Sequence, residues 1–393
     1  MRENGKRKVC VFIGNRANYS TFISIMKYIQ ASEKLELILL TGASLLLDKY
    51  GEAVKLIEND GFRVDERIYM LIEGENPETM AKSTGLGLIE LASILNKYKP
   101  SFTLIVADRY EMLAVAIASS YNNIPVVHIQ GGEVSGSIDE SVRHAITKLS
   151  HLHFPSNEIA KKRILQMGED ENYVFNFGCP RIDAVKEILN EKFDFEAINN
   201  YIRNFGVGNI FGINGSFLMV SQHPVTTEYG KAMDQIKLTL QAVNELSKEY
   251  NYPVIFLWPN PDAGSAHIAK SIRIFREYEE AKNFHFFKNL PFTYYIWLMK
   301  TTLCLIGNSS SGIREGSFIG TPVVNIGTRQ QDRARGKNVI DVDYDYIEIK
   351  NAIKEQIDHG KYEPEYIYGD GNASKRINSL RGRKGPGETI KRW

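Results

Sequence analysis

Residues 102–129, FTLIVADRYEMLAVAIASSYNNIPVVHI, decide the fold. Residues 102–107 and 124–129 are apolar runs without period-two alternation, the signature of strands buried on both faces of a parallel sheet. Between them 111–122 reads as a helix of small residues, and the charged pair Asp108-Arg109 stands where the first strand ends. The same alternation extends outward. Upstream, 9–13 and 35–40 read as strands and 19–30 as a helix with Phe22, Ile25, Met26 and Ile29 on one face; 45–59 and 85–99 are helical, the last stopping before Pro100. Downstream, 217–222, 254–258, 303–306 and 323–326 are strand-like, with amphipathic helices between them, notably 232–250. The polar, Gly- and Asn-rich segment 193–216 precedes this second series, which places a domain junction near 180–190. The alternation predicts an α/β chain of two doubly wound parallel sheets facing each other across a cleft.

The 393 residues suit two domains, at about 150 residues each. Lys and Arg number 48 against 47 Asp and Glu, a net +1. That balance excludes the global basic field that recruits nucleic acid or a membrane surface, and the run Arg381-Gly382-Arg383-Lys384 reads as a solvated tail. Cys10, Cys179 and Cys304 are far apart and odd in number, which argues for a reducing compartment rather than a disulfide framework. No apolar stretch approaches the ~18 residues of a membrane span, and the apolar run 9–13 is too short for a signal peptide; a soluble, cytoplasmic protein is expected. Metal ligation lacks CxxC, HxxxH or HExxH spacing, and there is no Gly-x-Ser-x-Gly elbow of a serine hydrolase.

In doubly wound sheets the ligand lies beyond the carboxyl ends of the strands, and the polar clusters of this chain fall there. Gly14-Asn15-Arg16-Ala17-Asn18-Tyr19-Ser20 follows the first strand. Its backbone N–H groups, the Arg16 charge and the Ser20 hydroxyl suit a phosphate, although a single glycine is no dinucleotide fingerprint and an ordinary capped turn fits equally. Asp108 and Arg109 read as an acid/base group and an anion binder, or as a surface pair contributing ~0–1 kcal/mol. The richest segment starts at His128-Ile129-Gln130-Gly131-Gly132-Glu133 and runs to Asp139, Arg143 and His144. Its glycines permit close backbone approach, and Asp139 and Arg143 share one face of a helix starting near Ile138; Asp139 and Glu140 also fit as complements to the helix dipole. In the second series His223 and Asn260 stand at strand ends. Gly307-Asn308-Ser309-Ser310-Ser311-Gly312, followed by Glu315 and later Arg329, has the small residues and hydroxyls of an anion-binding helix start. It lacks the Gly-Lys-Ser/Thr of a P-loop. Residues alone thus imply a two-domain enzyme that binds a phosphorylated or nucleotide-linked ligand and moves protons with carboxylates.

Taken in order, the motifs Gly85-Leu86-Gly87, Asp108-Arg109, Gly131-Gly132-Glu133, Arg143-His144-Ala145-Ile146-Thr147-Lys148, Gly178-Cys179-Pro180, Gln222-His223-Pro224, Asp262-Ala263-Gly264-Ser265, Gly307-Asn308-Ser309-Ser310 and Tyr368-Gly369-Asp370-Gly371 resemble the hydrolysing nucleotide-sugar 2-epimerases. The resemblance runs from about residue 8 to about 380. It implies a GT-B-like pair of Rossmann-like domains: 1–185 with the catalytic carboxylates, 186–372 holding the nucleotide, and a helix or tail, 373–393, packing back on the first. It implies that UDP-N-acetylglucosamine is converted to N-acetylmannosamine and UDP through a glycal intermediate, for sialic-acid-type sugar synthesis, without a cofactor or metal, by a homo-dimer or homo-tetramer. By motif position Asp108, Glu133, Asp139 and His223 are the catalytic candidates. Arg16, Ser20, Arg109, Gln130, His223, Asn260, Ser309, Ser310, Glu315 and Arg329 are the candidates for substrate and nucleotide binding. Many relatives carry Glu where Gln130 stands. Glutamine there resembles the relatives of the legionaminic acid route, which take UDP- or GDP-N,N'-diacetylbacillosamine. A GT-B glycosyltransferase is the alternative from another class.

Overall fold

The computed structural model describes all residues except 1–5, 49–52, 214–215, 261, 279–280, 289 and 380–393. Arg381 to Lys384, and most of the expected 373–393 tail, lie outside the described residues, as does Pro261.

The chain divides into two compact units. The first contains β1 (Arg7–Ile13), α1 (Arg16–Gln30), β2 (Leu35–Gly42), α2 (Val54–Asn59), β3 (Glu66–Ile68), α3 (Pro77–Tyr98), β4 (Phe102–Val106), α4 (Tyr110–Tyr121), β5 (Val126–Ile129), α5 (Asp139–Leu149), β6 (Leu152–Phe154), α6 (Glu158–Gln166) and the start of α7 (Pro180–Asn190). Its six strands are ordered β3-β2-β1-β4-β5-β6, all parallel. The apolar runs are the reason: Val9 to Ile13, Leu39, Leu40 and Ile105 are fully buried, each contributing roughly 1.5–3 kcal/mol for its larger side chains.

The second unit contains α8 (Phe195–Asn204), β7 (Val207–Gly208), β8 (Leu218–Ser221), α9 (Ala232–Tyr250), β9 (Val254–Leu257), α10 (Ser265–Tyr278), β10 (Phe284–Phe287), α11 (Phe292–Thr301), β11 (Cys304–Gly307), α12 (Ser310–Ile313), α13 (Glu315–Ile319), β12 (Val323–Ile326), β13 (Val339–Val342) and α14 (Tyr346–His359). Its order is β13-β12-β11-β8-β9-β10-β7, parallel except for β7, which runs antiparallel to β10. Without β7, both sheets have the 3-2-1-4-5-6 order of a dinucleotide-type fold, so the order reverses between β1 and β4 in one unit and between β8 and β11 in the other. Such switch points are where open α/β sheets bind ligands.

The unit boundaries are not simple cuts. Val134–Ser137 groups with the second unit, and the chain returns to the first at Tyr368. There Cys179 N–H donates to Tyr368 O at 2.7 Å. Gly178 and Gly369, at φ +87° and +106°, pass so close that a Cβ on Gly178 would stand 2.9 Å from the Gly369 Cα, a crossing that side chains would block. The next helix, α15 (Ala373–Ser379), lies against α1. It starts on the Asp183 carboxylate of α7, whose two oxygens accept the N–H groups of Ala373 (2.9 Å) and Ser374 (2.6 Å).

Several elements differ from the sequence expectation. The helix expected at 45–59 is instead a 3-10 turn, Ala43–Leu46, ended by extended Leu47, followed by α2. The turn is fastened to the end of β1, with Leu45 N and Ser44 Oγ both donating to Gly14 O. α3 starts eight residues before the expected Gly85, because Asn76 and Thr79 form a capping box ahead of Pro77, a stronger start signal than the interior glycines are a stop. The segment 193–216, to which no element was assigned, contains a helix: Asp194 caps α8, which buries Ile198 and Ile202.

Replacing Asp183 by Ala removes both acceptors at the start of α15 and should lower stability by about 1–2 kcal/mol. Urea denaturation of the full chain reads this as a lower midpoint; an unchanged midpoint would contradict the cap.

Candidate active site

At the carboxyl edge of the first sheet, two residues leave their strands in the left-handed region: Ala107 at φ +61° and Gln130 at φ +64°. Each still donates its N–H to the neighbouring strand, Ala107 to Ile129 O and Gln130 to Phe154 O, both at 2.9 Å. Non-glycine residues in this region carry strain of about 1–3 kcal/mol that the surroundings must impose. For Ala107 the imposing group is His128. Its Nε2 lies 2.9 Å from Ala107 O and its Nδ1 3.1 Å from Thr147 Oγ1. A carbonyl only accepts, so Nε2 carries the hydrogen, and Nδ1 of the neutral ring lies against the Thr147 hydroxyl, which also reaches Arg143 O at 3.0 Å. Burial pushes the imidazole down to about 3, with Arg143 among the lesser causes. Gln130 is held from its side chain, Nε2 donating to Cys179 Sγ at 3.0 Å.

The turn after Ala107 presents Asp108, and the centre of the cluster is Arg143. This guanidinium is fully buried; it pairs with the Asp108 carboxylate and donates Nη1 to Glu133 O at 2.6 Å. Helix α5 thus fixes two loops with one side chain, and carries Asp139 one turn earlier on the same face. Asp139 is half-buried, whereas Glu133 is buried. Arg109, the last residue before α4, donates Nε to Glu111 Oε1 at 2.8 Å. Arg16 opens α1. Ser20, by contrast, is buried in the helix with its hydroxyl donating to Ala17 O at 3.1 Å, so it is engaged by the helix backbone.

In the second unit, buried Asn308 joins the two sides of the switch point. Its Oδ1 accepts His223 N–H at 2.7 Å, and its Nδ2 donates to His223 O at 2.9 Å. Its own carbonyl accepts Arg329 Nη1 (3.1 Å) and Gln330 Nε2 (2.9 Å). The His223 ring is oriented from the next loop, Asn260 N–H donating to Nδ1 at 3.0 Å, which leaves the hydrogen of the neutral ring on Nε2. Asn260 itself is exposed. Ser309 caps α12 through its Oγ, 3.4 Å from Ser311 N, and lies 2.8 Å from Ser311 Oγ; Ser310 is half-buried. The helix start expected here is a single turn, broken at Arg314, before buried Glu315 opens α13. Also within this unit, Gly136 N–H donates to Arg329 O at 3.2 Å and accepts Thr227 Oγ1 at its carbonyl at 2.8 Å.

The predicted residues therefore fall into two sets. Arg16, Asp108, Arg109, Gln130, Glu133 and Asp139 stand at the strand ends of the first unit; His223, Asn260, Ser309, Ser310, Glu315 and Arg329 stand at those of the second. Among the described residues, no group of three His, Cys, Asp or Glu side chains is placed to hold a metal ion, and no helix is long and apolar enough to cross a membrane.

The family model for UDP-N-acetylglucosamine 2-epimerase matches residues 27–380. The chain belongs to the UDP-N-acetylglucosamine 2-epimerase family. Among curated relatives, the hydrolysing UDP-N,N'-diacetylbacillosamine 2-epimerase of Legionella pneumophila is 35% identical over 381 residues, 95% of either chain. The UDP-N-acetylglucosamine 2-epimerase of Neisseria meningitidis is 30% identical over 371 residues, 93% of this chain and 92% of that one. Of solved structures, the UDP-GlcNAc 2-epimerase of Methanocaldococcus jannaschii in complex with UDP-GlcNAc and UDP superposes with a TM-score of 0.78 at 18% identity, over 95% of this chain and 99% of that one. That likeness shows the GT-B-like fold expected from the motifs. Membership of the 2-epimerase family makes the chain an enzyme of the nucleotide-sugar 2-epimerase kind. Sequence reading gave no specific role to three residues that the geometry makes central: Arg143, read as an ionisable group on one helix face with Asp139, and Asn308 and Glu111, whose roles depend on partners 85 and 96 positions away.

His128 binds no proton in the fold until about pH 3, whereas its ordinary value is 6.5. Between these values the unfolded chain holds the extra proton, so stability falls as pH drops from 6.5 towards 3. In His128→Gln this decline should be shallower by up to ~1.4 kcal/mol per pH unit. Denaturation midpoints across that range measure it; parallel curves would contradict a buried neutral imidazole.

Proposed function

We propose that the chain is a hydrolysing 2-epimerase acting on UDP-N,N'-diacetylbacillosamine, with release of UDP and the free C2-epimerised sugar. The observation that carries the reading is the buried Arg143, which pairs with the Asp108 carboxylate and holds the backbone of Glu133, on the helix that Asp139 opens, in a chain of this family. A carbon acid as weak as C2–H needs a positioned carboxylate, and a departing diphosphate needs cations and N–H donors. One carboxylate removes the C2 proton as the C1–O bond to UDP breaks, the electron pair of C2–H forming the C1=C2 bond of a glycal. Water then adds its oxygen to C1 while a proton returns to C2 on the opposite face. Arg16 and Arg109 of the first unit and His223 and Arg329 of the second are the candidate anion-binding residues, and Glu315 is the candidate for the ribose diol.

Motif order alone put UDP-N-acetylglucosamine first as substrate. Two observations favour the diacetamido sugar: Gln130 in place of a carboxylate, and the greater identity to the Legionella enzyme than to the Neisseria one. A side-by-side incubation with both nucleotide sugars decides. The expected products are UDP and free diacetamido sugar, with kcat/KM at least ~10-fold above that for UDP-N-acetylglucosamine. The reverse preference would overturn the choice of sugar, and a product still joined to UDP would overturn hydrolysis. In the same assay Asp139→Asn should lose ~100-fold or more in turnover with its fold retained; near-normal turnover would remove Asp139 from the proton transfers.

A further inference from the structure

At the switch point of the first sheet, the β1–α1 and β4–α4 turns part, and Glu111 joins them. It is fully buried. Its Oε1 accepts Asn15 Nδ2 at 3.1 Å from one turn and Arg109 Nε at 2.8 Å from the other. Its Oε2 is buried with no hydrogen-bond partner among the described residues. The contact is close: a Cβ on Gly14 would stand 2.8 Å from Glu111 Cγ and 3.0 Å from Oε1, so the β1–α1 turn rests directly on this side chain. Asn15 in turn caps α1, accepting Asn18 N–H at 3.0 Å, and the next residue is Arg16.

A carboxylate in the first turn of a helix complements the helix dipole, but that role needs neither burial nor a partner on another loop. Nor does Glu111 suit an anion electrostatically. A buried carboxylate beside the cations of an anion site costs desolvation and repels the ligand. What it does supply is geometry, because one oxygen fixes the Arg109 side chain and the turn that launches Arg16.

We propose that Glu111 is a positioning residue for nucleotide-sugar binding, aligning Arg109 and the Arg16 turn across the β1/β4 switch point at the expense of local charge. The proposal rests on the 2-epimerase reading for what those arginines bind. The sign of the effect separates it from the alternatives. Removing a negative charge near an anion site should tighten binding by Coulomb's law alone, whereas loss of positioning should weaken it.

The test measures KM, kcat and the melting temperature of the full chain for wild type, Glu111→Leu, which removes the accepting oxygen with the charge, and Gly14→Ala, with calorimetric Kd for the nucleotide sugar. The second variant keeps the charge but displaces the turn. Both variants should raise KM and Kd by about tenfold, with kcat changed by less than about threefold. Unchanged or lower KM and Kd in a folded Glu111→Leu would overturn the proposal, as would losses confined to melting temperature or kcat. If Glu111→Leu fails to fold, Gly14→Ala with unaltered KM and Kd overturns it equally. A wild type that binds the nucleotide sugar without turning it over would overturn the 2-epimerase reading, while the Kd comparison would still decide the role of Glu111.

Discussion

A doubly wound sheet has one place where its backbone does not hold itself together. At the switch point, adjacent strands send their helices to opposite faces, and beyond the last ladder bond the two loops diverge. In this protein each unit spans that gap with a buried polar side chain: Glu111 between the ends of β1 and β4, Asn308 between those of β8 and β11. The candidate site residues hang from these two spans. Arg109 and the Arg16 turn depend on the first; His223, Arg329 and Gln330 depend on the second. The difference in chemistry is informative. The second unit uses a neutral amide, which can donate and accept at one backbone segment at once, whereas the first uses a carboxylate, which only accepts and so draws in a cation and an amide.

Arg143 adds a third tie. A fully buried guanidinium is tolerated only when paired and hydrogen-bonded, and here the Asp108 carboxylate and Glu133 O meet that need. The strain at Ala107 and Gln130 belongs to the same design. Each follows a strand end in the left-handed region, and each is held by a buried side chain, His128 against Ala107 O and Gln130 itself against Cys179. Carboxylates carried on such over-determined backbone are pre-organised, which is what abstraction of a weakly acidic C–H requires.

Much of the fold was legible because burial writes itself into sequence. The apolar runs of β1, β4 and β12 left no alternative to parallel strands, and α9 could be read to its ends from its spacing. Where sequence reading failed, a local or long-range polar contact was responsible. Glycines at Gly85 and Gly87 obscured an early start to α3 that the Asn76–Thr79 box determines. The polar, Gly- and Asn-rich segment 193–216 suggested no element, where Asp194 in fact starts a helix. At the site, the strand-end residues could be picked out one by one, but not the side chains that tie them. Arg143, Glu111 and Asn308 do their tying through partners that only the folded topology brings near. Ser20, conversely, has the right chemistry in the sequence and a hydroxyl already engaged by Ala17 O.

The account stands on proton transfer at carbon by the carboxylates of the first unit. The direct measurement is turnover of the nucleotide sugar in heavy water, with mass and proton spectra of the released sugar. One deuterium should be found at C2 of every released molecule, with inverted configuration there. A free sugar that retains its original hydrogen at C2 would contradict the account, because bond cleavage at C1 alone never opens the C2–H bond.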